Sequence, residues 1–201
     1  MWRVIATIGL AAIIGLGFGA NADAAKKGHR ERSMVPRIKV TSEQIPRNGM
    51  IGDEQVANTF GCKGGNISPE IKWTPGPQGT KSYAVSIYDP DAPTGSGFWH
   101  WVIFNIPASV TELPKNAGDL KTNLAPAGSV QSRTDFGVPG YGGPCPPPGD
   151  RPHRYHITVF AVDADHLDGD ANISAAVVGF QLHFHTLAKG VLTGHYGRAK
   201  Q

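Results

Sequence analysis

YDPDAPTGSGFWHWVIFN, the stretch from Tyr88 to Asn105, reads as the end of one strand, a stiff turn and the start of the next strand. Pro90 and Pro93 fix their own φ and push the residues before them, Asp89 and Ala92, toward extended geometry. Thr94, Gly95, Ser96 and Gly97 form a pliant tip. Beyond it Phe98, Trp99 and Trp101 surround a single His100, while Asp89 and Asp91 flank Pro90. Carboxylates, an imidazole and large aromatics in so short a span fit a small-molecule pocket with polar groups at its floor. A hairpin loop with a hydrophobic cap fits the same residues, and this stretch weighs the two evenly.

Working outward, Tyr83–Tyr88 (YAVSIY) and Trp101–Ile106 (WVIFNI, closed by Pro107) are strong strand candidates. Ile38–Ile45 reads as a first strand, Met50–Val56 as a short extended piece, and Ile71–Trp73 as a strand stopped by Thr74-Pro75-Gly76-Pro77. Gln131–Asp135 reads as a short edge strand, and Tyr155–Val162 (YHITVFAV) is the clearest long one. Short strands at close spacing with turn signals between them predict a mainly β fold, a two-sheet antiparallel β-sandwich. One helix is expected near the C-terminus. Asn172 or Ser174 can cap it, and Val177, Phe180, Phe184 and Leu187 follow at helical spacing. Gly190 is expected to end it, with Val191–Tyr196 as a last strand.

Composition agrees. Hydrophobic residues make up 40%, charged residues only 17%, and 26 Gly and 16 Pro point to a loop-rich β protein rather than a helical bundle. The formal charge of +3 is modest. No basic run with interleaved aromatics tracks a phosphate backbone, so no nucleic-acid partner is expected.

Residues 1–24 read as a signal peptide: Arg3, an apolar Val4–Ala20 core, and small-x-small cleavage sites ending at Ala22 and Ala24. A retained anchor is the competing reading, although the run barely reaches the roughly 20 apolar residues a span needs. Residues 25–37 are a polar, basic, flexible lead-in, and residues 38–201 form one domain. Export to the periplasm or the medium is the expectation. An oxidising compartment favours a disulfide between the two cysteines, Cys62 and Cys145, which by chain entropy contributes roughly 4 kcal/mol at most.

The loop GYGGPCPPPGDRPHRY, Gly140 to Tyr155, is the natural partner of the opening stretch. Its prolines make a fixed wall and its glycines, Gly143 among them, allow close backbone approach. His153 and Tyr155 are two apart on a strand and face the same way. If that strand lies beside Trp101–Ile106, His100, His153 and Tyr155 converge on one cavity, and Asp89 joins them. His156 faces the other way, and His183 and His185 sit roughly 200° apart on a helix. A metal held by Asp89, His100 and His153 is a weaker reading, because the three come from separate segments without metal-ligand spacing. A hydrolase with Cys145 as nucleophile and His100 or His153 as base is another, and pairing of Cys145 with Cys62 excludes it. No metal, cofactor or catalytic residue is expected.

DPDAP, HWVIFNIP and GPCPPPGDRPHRY, in that order, closely resemble the signatures of the phosphatidylethanolamine-binding protein family. Val178-Gly179-Phe180 to His185 and the exported context resemble its bacterial Raf-kinase-inhibitor-like branch. The resemblance runs from about Ile38 to Arg198. It implies a two-sheet β-fold with a small pocket for phosphate-like or phospholipid-headgroup anions, and in some members inhibition of kinases or proteases. By position the ligand-binding residues are Asp89, His100, Pro146, His153 and Tyr155, with Asp91, Pro93, Trp101 and Gly143 shaping the pocket. Trp99 and the Pro-Cys-Pro-Pro-Pro loop depart from the eukaryotic pattern, and no long helix follows Arg198, so kinase-partner roles are not carried over. The expected partner is a small anion, with a protein partner or transient membrane contact as further options. If ionised, Asp89 would repel that anion. It is therefore expected either to orient a histidine or to be protonated when ligand binds.

Overall fold

The computed structural model describes residues 37–200. The expected signal peptide and nearly all of the lead-in lie outside them. Among the described residues no helix is long and apolar enough to cross a membrane.

The YAVSIY run is apolar without alternation because both of its faces are covered. It forms β3 (Ser82–Asp89) at the centre of the larger sheet. β4 (Phe98–Pro107) lies on one side of it and β7 (His153–Val162) on the other, both antiparallel. β6 (Val130–Gln131) and β8 (Thr186–Tyr196) are the outer strands, giving the order β6-β4-β3-β7-β8. A second sheet, β1-β2-β5, is built from Val40–Thr41, Ile71–Trp73 and Glu112–Leu113. Between the sheets pack Val40, Ile71, Trp73 and Leu113 against Val85, Ile87, Ile103, Tyr155 and Ile157. The opposite face of the large sheet buries Ala84, Val102, Phe104 and Val162 under α1 (Ala175–His185). The result is the mainly β, two-sheet antiparallel architecture, with one helix among the described residues.

The β7 strand does not lie beside β4, as the conditional reading of the sequence required. β3 runs between them, and it carries Asp89 to the same end of the sheet. Ile38–Ile45 contributes only two strand residues, and Met50 makes a single bridge to His195 before a turn. The strand after the tip is longer than expected, since Phe98–His100 belong to β4, and β7 starts at His153, which puts it on one strand with Tyr155 as read from the sequence.

At the C-terminal helix the apolar spacing misleads. The buried residues are Ala175, Val178 and Leu182, whereas Val177, Phe180 and Phe184 are exposed at 48%, 66% and 64%. Ala175, Val178 and Leu182 pack on Ala84, Val102, Phe104 and Val162, and the larger Phe180 and Phe184 point away. Ser174 is the N-cap, its hydroxyl accepting from the Val177 amide. Gly190 does not end the helix. Thr186 does, by donating from its amide and its hydroxyl to the Leu182 carbonyl. β8 then begins at once. Gly190 lies within it because a Cβ there would come 2.0 Å from the Ile38 carbonyl oxygen.

Candidate functional site

Strand registry delivers the polar side chains. Ile87 faces Trp101 and Tyr88 faces Trp99, so His100 is an extra residue between two paired positions, a β-bulge. The bulge turns the His100 ring into a cavity at the end of the sheet and sends Trp101 into the core. β7 presents His153 and Tyr155 on one face, and Asp89 closes β3. These four line one cavity of about 190 Å³. Their residues are only 1–4% exposed. Pro93 and Pro146 line it too, with Phe60, Phe98 and Phe136 as apolar wall.

Each polar group is held by a specific partner. His153 donates from Nδ1 to Asp89 Oδ2 at 2.8 Å, and Asp89 Oδ1 accepts the Asp91 amide at 2.8 Å. Asp89 therefore orients a histidine, the first of the two roles expected for it. His153 Nε2 lies 3.4 Å from Asp150 Oδ2 at the mouth. His100 donates from Nδ1 to the Gly142 carbonyl at 2.8 Å, and the Gly142 amide donates back to the His100 carbonyl at 2.9 Å. A carbonyl can only accept, so the neutral His100 ring carries its proton on Nδ1 and leaves a lone pair on Nε2. Burial among Phe98, Phe136 and Tyr155 lowers the His100 pKa, against the opposing pull of the Gly142 carbonyl and Asp89. The Tyr155 hydroxyl is buried beside the Asp89 carboxylate and makes no hydrogen bond of normal geometry. Burial first, then the charge of Asp89, raises its pKa far above that of a free phenol, so it stays a donor.

Among the described residues no Lys or Arg lines the cavity. Three guanidinium groups stand around it: Arg198 donates from Nε to the carbonyl of the wall residue Pro146 at 2.6 Å, while Arg154 and Arg151 are both tied to Asp91. Arg154 makes a two-pronged contact at 2.8 Å on each carboxylate oxygen, and Arg151 approaches at 2.9 Å. The hydrogen bonds from Arg154 hold the Asp91 carboxyl well below the usual carboxylate range. Asp91 thus braces the turn without reaching the cavity wall.

Trp101 and Gly143, expected to shape the pocket, lie off its wall. Trp101 is fully buried between the sheets and its indole N–H donates to Gln131 Oε1 at 2.7 Å. Gly143 packs so tightly on the Gln55–Ala57 backbone that a Cβ would come 2.1 Å from the Gln55 carbonyl oxygen. Phe60 and Phe136, stacked at 5.7 Å between ring centroids, are wall residues that sequence reasoning missed. The signal was indirect: Phe60 stands two residues before Cys62, and Cys62 is joined to Cys145, itself a wall residue. That disulfide also removes the thiol that a cysteine hydrolase would need. His156, as expected, faces away and contacts Thr193 Oγ1 at 3.0 Å. Among the described residues no three His, Cys, Asp or Glu side chains are placed to hold a metal ion.

The family model described as phosphatidylethanolamine-binding protein matches residues 41–197. The UPF0098 protein YbcL of Escherichia coli is 48% identical over 159 residues, covering 79% of this chain and 87% of that protein. The UPF0098 protein YbhB of the same organism is 45% identical over 159 residues, covering 79% and 99%. The crystal structure of Escherichia coli YbcL, titled a new member of the mammalian PEBP family, superposes with a TM-score of 0.79 at 46% identity. The match covers 81% of this chain and 99% of that one. With the model spanning the whole described sandwich and relatives near half identity along almost their full length, this chain belongs to the phosphatidylethanolamine-binding protein family.

Proposed function

We propose that the cavity between Asp89, His100, His153 and Tyr155 binds a small oxyanion, phosphate or a phosphorylated headgroup. The chain on this reading is an exported binding protein that modulates a partner and is not an enzyme. The observation that carries it is the Tyr155 hydroxyl, a buried donor without a partner inside a cavity walled by two oriented imidazoles. Leaving such a group unsatisfied costs about 1–3 kcal/mol. A ligand oxygen that accepts from it recovers that cost. The disulfide fits an oxidising compartment.

The electrostatics dictate how the anion is held. Among the described residues no guanidinium or ammonium group lines the cavity, and Asp89 brings a negative charge of its own. An oxyanion meeting the lone pair of neutral His100 at Nε2 needs a proton between them. Either the ligand brings it or the ring takes it up. Burial keeps the free His100 pKa low, and an adjacent anion raises it, so the complex holds more protons than the free protein. Affinity therefore rises as pH falls between those two values, by at most about tenfold per pH unit for one linked proton.

Calorimetric titration with phosphate and with phosphorylethanolamine, at about pH 8 and about pH 6, tests this beside His153→Ala. Saturable binding that strengthens at the lower pH and disappears in the variant is the expected result. No binding, or binding equal in the variant, would remove the anion from this cavity.

A further inference from the structure

The helix α1 covers only part of the outer face of the large sheet. Ala84, Val102, Phe104 and Val162 lie beneath it. Beside it a trough of about 670 Å³ opens between α1 and the strands, floored by Trp99, Phe160, Val102 and Leu187. That volume lies within the range of sites for small organic ligands, about 300–1,000 Å³. The trough continues over Ser86, Trp99 and Phe160 into a second cavity of about 310 Å³ that reaches Tyr88 and Val191. It is separate from the Asp89–His153 cavity, with which it shares no residue.

Two observations define the chemistry of an occupant. The helix wall is built low, from Ala175, Ala176 and Gly179, and a Cβ on Gly179 would meet nothing within 4 Å. The ionisable residues of the larger cavity are Lys189 and His183, and among the described residues no Asp or Glu lines either cavity. Lys189 makes no ion pair with another described residue, whereas His185, on the same helix, is engaged by Asp163 at 2.9 Å. A mainly apolar floor, interrupted by Ser86 and Thr158, with a cationic end and no acidic group suits an amphiphile with a negative head. Lys189 lies directly across from Phe160 in the β7–β8 register, and the row Val191, Thr158, Ser86, Val102 crosses four strands. Three spacings of about 4.8 Å make a floor about 14 Å wide, which an extended chain of about eleven carbons spans.

We propose that this trough binds a long-chain carboxylate, with its alkyl chain across Phe160, Trp99 and Val102 and its carboxylate at Lys189 and His183. The edge-to-face pair Phe180 and Phe184, both exposed, stands on the helix outside the trough and takes no part.

The test is titration of the full chain with dodecanoate, in the presence of saturating inorganic phosphate so that the Asp89–His153 cavity is not the site observed. Saturable one-to-one binding is expected. It weakens by about tenfold for each two methylenes removed. It also weakens by about threefold for dodecanol or for Lys189→Gln, the modest effect of an exposed charge pair. Gly179→Leu fills the trough, and it should abolish binding while holding or raising the melting temperature, which separates occlusion from unfolding. Binding that survives Gly179→Leu, or that phosphate displaces, overturns the proposal. So does light scattering that finds a dimer without dodecanoate that Gly179→Leu dissociates, because a second copy is then the occupant.

Discussion

Removing one oxygen from Tyr155 tests the site from two directions at once. Tyr155→Phe keeps the ring, its burial and its edge contact with His100 at 5.2 Å between centroids, and deletes only the hydroxyl. In the free protein that hydroxyl has left water without gaining a partner, so its loss should stabilise the fold by about 1–2 kcal/mol. For a domain of this size that raises Tm by roughly 2–8 °C. The same deletion removes a donor to the bound anion. A hydrogen bond to a charged group contributes about 1.5–3 kcal/mol, so phosphate affinity should fall by roughly tenfold to a hundredfold. Urea denaturation followed by fluorescence measures the first effect, with an unchanged m-value as the sign that only stability moved. Phosphate calorimetry measures the second. A variant that is less stable than the parent would refute the reasoning, because the hydroxyl would then be satisfied in the free protein by Asp89 or a water. A variant that gains stability yet binds phosphate as before would place the anion elsewhere.

Three further outcomes follow from the geometry. Asp91 has its pKa depressed by Arg154 and Arg151, so its contribution is fully present above the unfolded value near about 4 and is lost as pH falls below it. Asp91→Asn should therefore lower stability at neutral pH and flatten the acid limb of a Tm-against-pH curve; a parallel curve counts against the bracing role. Gly179→Ala should raise stability by about 0.5–1 kcal/mol, because the site is helical and a Cβ there meets nothing, and thermal unfolding checks it. Cys62→Ser with Cys145→Ser opens a loop of 83 residues and should cost up to about 4 kcal/mol in denaturant unfolding. It should also loosen phosphate binding, because Phe60 and Pro146 stand on the two tethered segments.

The polar half of the site was legible because it depends on local rules. Strand periodicity alone places His153 and Tyr155 on one face, and Pro90 and Pro93 alone stiffen the turn that ends in Asp89. The three ordered motifs carried the family and with it the two-sheet architecture. What stayed hidden depended on pairing between distant segments. Nothing local marks His100 as a bulge, since that depends on which β3 residues face Trp99 and Trp101, and the bulge is what moves Trp101 from the pocket into the core. Gly190 looked like a helix stop and is instead a gap through which residue 38 passes. The helix showed a regular apolar stripe, yet its core face is set by packing on Val102 and Phe104, so Ala175, Val178 and Leu182 went inward and Phe180 and Phe184 outward. The chain carries its residue chemistry and its short-range geometry in its order. The bulge, the unpartnered Tyr155 hydroxyl and the trough beside α1 arise only when segments dozens of residues apart are brought into contact and compete for the same volume.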